Sequence, residues 1–508
     1  MKKILTLFFL STCCIMGGQA QTGSANGVKF EVEGTGAKVV GLEDGNTSTE
    51  IIIPNEVTLS DGNKYVVTII ADNAFKDKTS IASVKLPNGL VNFWDHSFDG
   101  CTALKSITIP ASVEHIYNNV FQKSGLESIT FENGSKLDYI GDYAFGATQL
   151  KSVALPPNLK TIVKYAFADT PSLETITVPN GLESIGDHAF KGTSLKGIVL
   201  PNTLKSLGEY AFEGTQLSSI VIPSSVTEMG NGVFYNCSNL KTATINSGNV
   251  ELKWELFRLA GDVAGGIEDL YITPEKALAV GYCFASTEPA IHVQPKLVDG
   301  YKSALQQKNF AGDKIDSKVK ITLNKEYATY SSAFNIDFSQ TEELKAYKGA
   351  YDAANNSIRL TQVQNVPAWN GVVLKGEAGK TYELPIIDAW TDGLENFEGN
   401  MIYASVNPTW LTGVDGGDYI LSNGAFHPIS KNGFLAAGRA YFPYSLVVGT
   451  SSSAKELAFS FDNTTTAIHK VAADKLVEDG VYYTLSGVKT VKPVKGIYIH
   501  NGKKYVCK

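Results

Sequence analysis

Five acidic residues, Asp72, Asp95, Asp142, Asp187 and Glu209, each stand three positions before a phenylalanine, which would line their carboxylates into a stripe if the chain were coiled. A carboxylate stripe is a way to hold cations. Calcium, however, takes about six to eight oxygens converging within one loop, and here each unit offers one acid. The same residue type has a structural use, since a carboxylate accepts an orphaned backbone N–H and so caps a short helical turn. Asn118 and Asn231 occupy this position in other units and fit capping equally well; Lys164 fits neither use. The pattern therefore predicts caps, with no metal or cofactor site.

A second series runs one residue closer to the same Phe: Asn73, His96, Asn119, Tyr143, Tyr165, His188, Tyr210 and Gly232. Stacked rings provide contact area at low entropy cost, so Tyr143, Tyr165, His188 and Tyr210 are candidate ligand contacts, for protein or sugar. They serve equally as a ladder that shields the edge of each coil. A third series lies on short strands, where Thr108, Thr130 and Thr177, with Ser106, Ser128, Val199 and Val221, face away from the apolar positions. Such a flat, weakly polar face suits broad adhesion and gives a catalytic group no home; solubility alone explains it equally well.

Two nucleotide-like motifs fail on context. "GEAGKT" (376–381) would need its first P-loop glycine at Leu374, and "TYELPI" follows where a helix is required. "GTGAKVVG" (34–41) lacks the third glycine of a dinucleotide fingerprint. Both read as hairpin loops. The sequence contains neither HExxH nor GxSxG, so the reading is of a protein that is not an enzyme. Trp369, Trp390 and Trp410 in the later part of the chain would stack on sugars if exposed; core packing is the expectation for them.

The elements that carry the three series follow from their period. Phe75, Phe98, Phe121, Phe145, Phe167, Phe190, Phe212 and Phe234 recur every 22 to 24 residues, and Phe257 in "WELF" extends the series irregularly. In step with them run "SVKLP", "SITIP", "SITF", "SVALP", "TITVP", "GIVLP" and "SIVIP". Each is a short alternating strand, and in all but "SITF" a proline, which has no N–H to donate, closes it. One such unit cannot bury its apolar face, but stacked units bury theirs together at about 4.8 Å per coil. Each Phe is then expected over the Phe of the next coil. Cys101 and Cys237 share one repeat position with Ser124, Thr148 and Thr170; six coils separate them, on the order of 29 Å, so they read as buried fillers and not a disulfide.

The recurring apolar-x-x-Ile-Gly-x-x-Ala-Phe after a Pro-closed strand resembles the BspA-like leucine-rich repeats of secreted bacterial proteins, over about residues 67–250. "IIIPNEVTLSDGNKYVVTIIADNAF" resembles the N-terminal hairpin cap of that family, and "IHVQPKLVDGYKSALQQKNFAGDKI" (291–315) its closing strand and helix. The resemblance implies a surface protein that binds extracellular matrix or other cells. It implies that function as a class and assigns it to no residue.

From Lys318 the period vanishes, and runs such as "VKITL", "SIRLTQV", "GVVLKG" and "TYELPI" predict an all-β sandwich-like module. It resembles β-modules that follow repeats in secreted Bacteroidetes-type proteins. "NTTTAIHKVAADK" reads as a linker, and "DGVYYTLSGVKTVKPVKGIYIHNGKKYVCK" resembles a C-terminal sorting domain. At the other end, Lys2 and Lys3 precede an apolar run and small residues. This reads as a secretory signal peptide cleaved after Ala20, with lipid attachment at Cys13 the less favoured alternative. Removing it leaves four cysteines, too few for a disulfide-built fold. A net charge of -7 and a pI of about 5.6 provide no basic footprint for nucleic acid.

The expected architecture is a β-rich solenoid of leucine-rich repeats of about 23 residues followed by an all-β sandwich-like domain. Its parts are a signal peptide (1–20), a hairpin cap (21–66), the solenoid with its C-terminal cap (67–317), the β-module (318–463), and a linker with a terminal β-unit (464–508). The expected role is adhesin-like protein binding, outside the cell or on its outer surface and without a transmembrane segment. Glycan binding through the β-module is the alternative.

Overall fold

The computed structural model describes residues 21–260, 266–284, 288–306, 310, 312–352, 354–355, 357–388 and 400–405, and beyond these the strand segments up to Cys507 named below. The repeats form a β-solenoid of about 10 turns. The chain divides into two compact units, Met1–Leu159 with Tyr165–Leu173, and Lys160–Lys164 with Glu174–Lys508.

The first unit opens with three antiparallel strands, Thr22–Ala25, Val28–Glu33 and Gly36–Leu42. "GTGAKVVG" forms the turn and second strand of the hairpin joining the last two. The strand Lys64–Ile70 hairpins with Glu56–Thr58 and also runs parallel to Gly36–Leu42, so it links the antiparallel start to the parallel coils. From there each coil of this unit contributes two short parallel strands. One set carries the Thr face, with Ser106–Ile109 in register against Ser128–Phe131. The other set precedes the Ile-Gly pair, with His115–Ile116 between Asn92–Phe93 and Tyr139–Ile140.

Phenylalanine fills the centre. Phe75, Phe98, Phe121, Phe145 and Phe167 are fully buried and stack with near-parallel, offset rings, their centroids 5.0, 5.6, 5.6 and 5.3 Å apart. In the second unit Phe190, Phe212, Phe234 and Phe257 stack at 5.4, 5.6 and 5.7 Å, and Phe284 follows at 6.1 Å. Offset stacking of this kind adds about 0.5–1.5 kcal/mol per pair beyond area burial. Cys101 and Cys237 are buried thiols that donate to the carbonyls of Phe75 and Phe212, as the Thr148 hydroxyl does to that of Phe145. The shared position thus takes any small side chain with a donor.

The turn around each Phe has a backbone that the sequence does not announce. The residues two before and two after it take positive φ: His96 and Gly100 (58° and 73°), Tyr143 and Ala147 (53° and 55°), Tyr210 and Gly214 (53° and 70°). This geometry aims alternate N–H groups along the stacking axis. His96, Phe98 and Gly100 donate to Asn118, Val120 and Gln122 of the next coil at 3.0, 2.8 and 2.8 Å. Left-handed backbone is costly for residues other than glycine and persists because every coil repeats these bonds.

The solenoid closes with the parallel strands Thr242–Ile245, Asp269–Ile272, Ala290–His292 and Ile315–Asp316. The helix Val298–Gln306 buries Tyr301 and Leu305. The β-domain that follows has two sheets. Lys318–Thr322, Thr381–Ile387, Asn335–Asp337 and Asn365–Val366 form the first. Tyr327–Ser331, Gly371–Lys375, Lys345–Asp352, Ser357–Val363 and Ala458–Phe461 form the second. The unbroken apolar run of "GVVLKG" follows from burial on both faces. Val372 and Leu374 enter the core between the sheets, and Val373 enters a separate core with Ile402, Tyr419 and Phe426. "GEAGKT" spans the link between Gly371–Lys375 and Thr381–Ile387, which lie in different sheets; it is a crossover, not the expected hairpin loop.

Further strand pairs are Tyr403–Ser405 with Arg439–Tyr441, Thr409–Leu411 with Gly433–Leu435, and Tyr419–Ser422 with Ala425–Pro428. The terminal sheet comprises Ile468–Lys470, Tyr482–Thr484, Lys489–Thr490, Gly496–His500 and Lys503–Cys507. Ile468–Lys470 falls within the segment expected to be a linker, yet it pairs with the last strand. Residues 1–20, which carry the signal-peptide reading and Cys13, lie outside the described residues, as does Trp390.

Candidate functional site

The acidic series is placed differently from its expected role. Asp95 Oδ1 accepts the backbone N–H of Asn118 at 2.8 Å, Asn118 Oδ1 that of Asp142 at 2.9 Å, and Asp187 Oδ1 that of Glu209 at 2.7 Å. The acceptor belongs to one coil and the N–H to the equivalent residue of the next. These side chains therefore clip neighbouring coils together and do not cap their own turns. Among the described residues no group of three or more His, Cys, Asp or Glu is placed to hold a metal ion.

The ring series occupies the left-handed position before the Phe. Tyr143 and Tyr165 are half-buried and stack at 4.5 Å with planes 5° apart, forming a rung of a ring ladder along the coils. His188 and Tyr210 stack at 5.3 Å, and Glu213 accepts from the His188 ring at 3.2 Å. Tyr210 reaches further: its hydroxyl donates to Glu255 Oε2, two coils on, at 2.9 Å, and Arg258 holds the other oxygen of Glu255 at 2.9 Å. Gly232 makes this reach possible. A Cβ there would lie 2.3 Å from Tyr210 Cε1, so the ring takes the space of the absent side chain. Burial first, and the Glu255 hydrogen bond second, push the Tyr210 hydroxyl up to about 12.

Burial pushes up other acids in the same direction. Tyr301 and Tyr271 rise to about 12, Cys101 and Cys283 to about 12, and Cys237 to about 11. Each folded-state value lies above the ordinary 10.0 of tyrosine or 9.0 of cysteine. Their contribution is therefore fully present below those ordinary values and is lost as pH rises through the folded-state values. Thermal midpoints are expected to hold level up to about pH 9 and to fall steadily between about pH 9 and 12. Melts in a buffer series check this, and a midpoint unchanged at pH 11 would contradict it.

Thr108 and Thr130 are exposed and directly opposite one another in register, as are Ser106 and Ser128. Thr177 is exposed on the strand Thr175–Thr177 of the second unit. Further along that second-unit face, the β-domain stands over the strands and encloses a groove of about 720 Å³. The floor carries Thr175, Val199, Ser219, Val221, Thr242 and Thr244; Lys320, Thr322, Thr381 and the turn Ser331–Phe334 form the wall. Lys320 Nζ pairs with Asp269 at 2.8 Å, and the Lys320 N–H donates to the Tyr271 hydroxyl at 3.4 Å. Behind them the fully buried His292 lies against Tyr271 at 4.6 Å, between Asp269 (3.1 Å) and Asp316 (2.6 Å). Burial alone would raise the Asp269 carboxyl, but the bonds from Lys320 and His292 override it and leave it lowered. This network fixes the β-domain against the closing coils. Nothing in the sequence pairs Thr175 with Tyr330 or Thr381, so the groove escapes sequence reasoning.

Trp369 departs from the core expectation. Its side chain is 52 % exposed and its φ is 66°.

The sequence profile of the BspA type leucine rich repeat region matches residues 68–191 and 160–263, with 6 copies in all. Residues 68–263 are BspA-type leucine-rich repeats. Repeats of this family serve protein–protein interaction in general. No curated protein matches the chain. Among solved structures, it is similar to a leucine-rich repeat protein from Bacteroides ovatus ATCC 8483, at 24% identity over 54% of this chain and 84% of that one, with a TM-score of 0.37. It is also similar to a leucine rich cell surface protein from Faecalibacterium prausnitzii A2-165 (19% identity, 54% and 95% of the two chains, TM-score 0.35). The pneumococcal vaccine antigen PcpA matches at 21% identity over 56% and 96%, with a TM-score of 0.30. No helix among the described residues is long and apolar enough to cross a membrane.

Proposed function

We propose that this chain is an adhesin-like binding protein, secreted or displayed on the outer cell surface, whose repeats present a flat face to extracellular protein ligands. The observation that carries this reading is the exposed row on the parallel strands, Ser106 with Ser128 and Thr108 with Thr130 in register. Rows of short, uncharged side chains make each contact weak, and affinity then grows with the number made together. The Phe spine holds the face rigid, which limits the ordering cost of binding.

Surface plasmon resonance of the whole chain over immobilised extracellular-matrix glycoproteins tests the proposal. Thr108→Arg with Thr130→Arg is expected to weaken binding at least about tenfold with an unchanged melting midpoint. Equal binding by the double variant would remove the strand face from the account. A second reading, glycan binding through the β-domain, is favoured by the exposed Trp369 indole.

A further inference from the structure

We propose that the groove beneath the β-domain binds a neutral oligosaccharide, an inference that rests on the glycan-binding reading. The groove, about 720 Å³, lies within the range of about 300–1,000 Å³ usual for small-ligand sites. Hydroxyl side chains dominate its polar lining: Thr175, Ser219, Thr242 and Thr244 from the floor, Thr322 and Thr381 from the wall. Its two charged residues, Asp269 and Lys320, pair with each other at 2.8 Å. The lining therefore carries no net charge to recruit an ion.

An extended peptide fits this surface poorly. On the edge of Lys318–Thr322 that faces away from its partner strand two amides are taken, Lys318 by Asp316 Oδ1 at 3.2 Å and Lys320 by the Tyr271 hydroxyl at 3.4 Å. Strand addition, the usual route for peptide capture at a sheet edge, loses two of its donors there. A sugar needs no such edge, because its hydroxyls exchange hydrogen bonds with side-chain hydroxyls while its C–H face lies on apolar surface.

Trp369 provides an independent observation. Its backbone N–H donates to the Ser332 carbonyl at 2.8 Å, and Ser332 lines the groove. Asn335 Oδ1 accepts the Ala368 N–H at 2.8 Å, so the turn is held from two sides. A large ring left half in water on a left-handed backbone is unfavourable on both counts, and such outliers cluster at ligand sites. The Trp369 backbone is tied to the turn that forms the groove wall, and the exposed indole is assigned as the stacking platform of the site.

Titration calorimetry of the whole chain with maltotriose, cellotriose and N-acetyllactosamine, with sialyllactose as the charged comparison, tests the site. Gly197→Leu is the decisive variant: Gly197 lies on the groove floor, and a Cβ there meets no atom within 4 Å, so the added side chain enters the groove and spares the fold. A neutral probe is expected to bind, with Gly197→Leu and Trp369→Ala each weakening it at least about tenfold and the Gly197→Leu melt unchanged. Neutral binding undiminished by Gly197→Leu would overturn the groove while leaving glycan binding elsewhere on the chain. Binding kept in Trp369→Ala would overturn the platform. No neutral binding, or binding of sialyllactose alone, would overturn both the groove and the reading beneath it.

Discussion

Replacing Phe145 with alanine is expected to lower the unfolding free energy by about 3–5 kcal/mol, the range for truncating a large buried aromatic. Phe145 is fully buried with Phe121 at 5.6 Å on one side and Phe167 at 5.3 Å on the other, so a cavity here has two rings that lose a face. Coils contact only their neighbours, and the fixed inter-coil bonds of the turn limit collapse into the gap. Tyr143→Ala, two residues away, removes a half-buried ring stacked on Tyr165 and is expected to cost about 1 kcal/mol. Urea titrations followed by circular dichroism read both. Equal losses for the two variants would contradict the spine.

Gly208→Val should be the second most damaging change, at about 3 kcal/mol, the upper end for overpacking. A Cβ at this position would lie 2.4 Å from the Asp187 backbone nitrogen of the preceding coil. The obstacle is backbone, which no rotamer change relieves. The Gly of the Ile-Gly pair thus serves close approach between coils, where the sequence pattern reads equally as a tight bend. A urea midpoint within error of the parent, at unchanged slope, would show that the coils tolerate the separation.

The periodic parts of the fold were legible because burial imposes them coil by coil. A Phe every 22 to 24 residues can only be core, and a strand ended by Pro can only be short. The turn backbone was harder to read. Tyr143, Tyr165, Lys123 and Ala147 are not the residue types that advertise positive φ, although Asn73, Asn119 and Gly232 before the Phe, and Asp77, Gly100, Gly192, Gly214 and Asn236 after it, carry the signal. The direction of the Asp and Asn side chains was not legible, because a capping acceptor and an inter-coil acceptor need the same residue at the same place. Nor was the groove, which depends on how a domain starting at Lys318 docks on strands about 75 to 145 residues earlier. The exposed Trp369 was open to either reading until its surroundings were placed.

On the proposed function, the Phe turns are scaffold and the exposed strand face is the binding surface. A structure of the whole chain bound to a matrix glycoprotein tests it most directly. Ligand atoms are expected in contact with Thr108 and Thr130 and none against the Phe turns. Contacts confined to Tyr143, Tyr165 and the neighbouring turns, with the strand face bare, would contradict it.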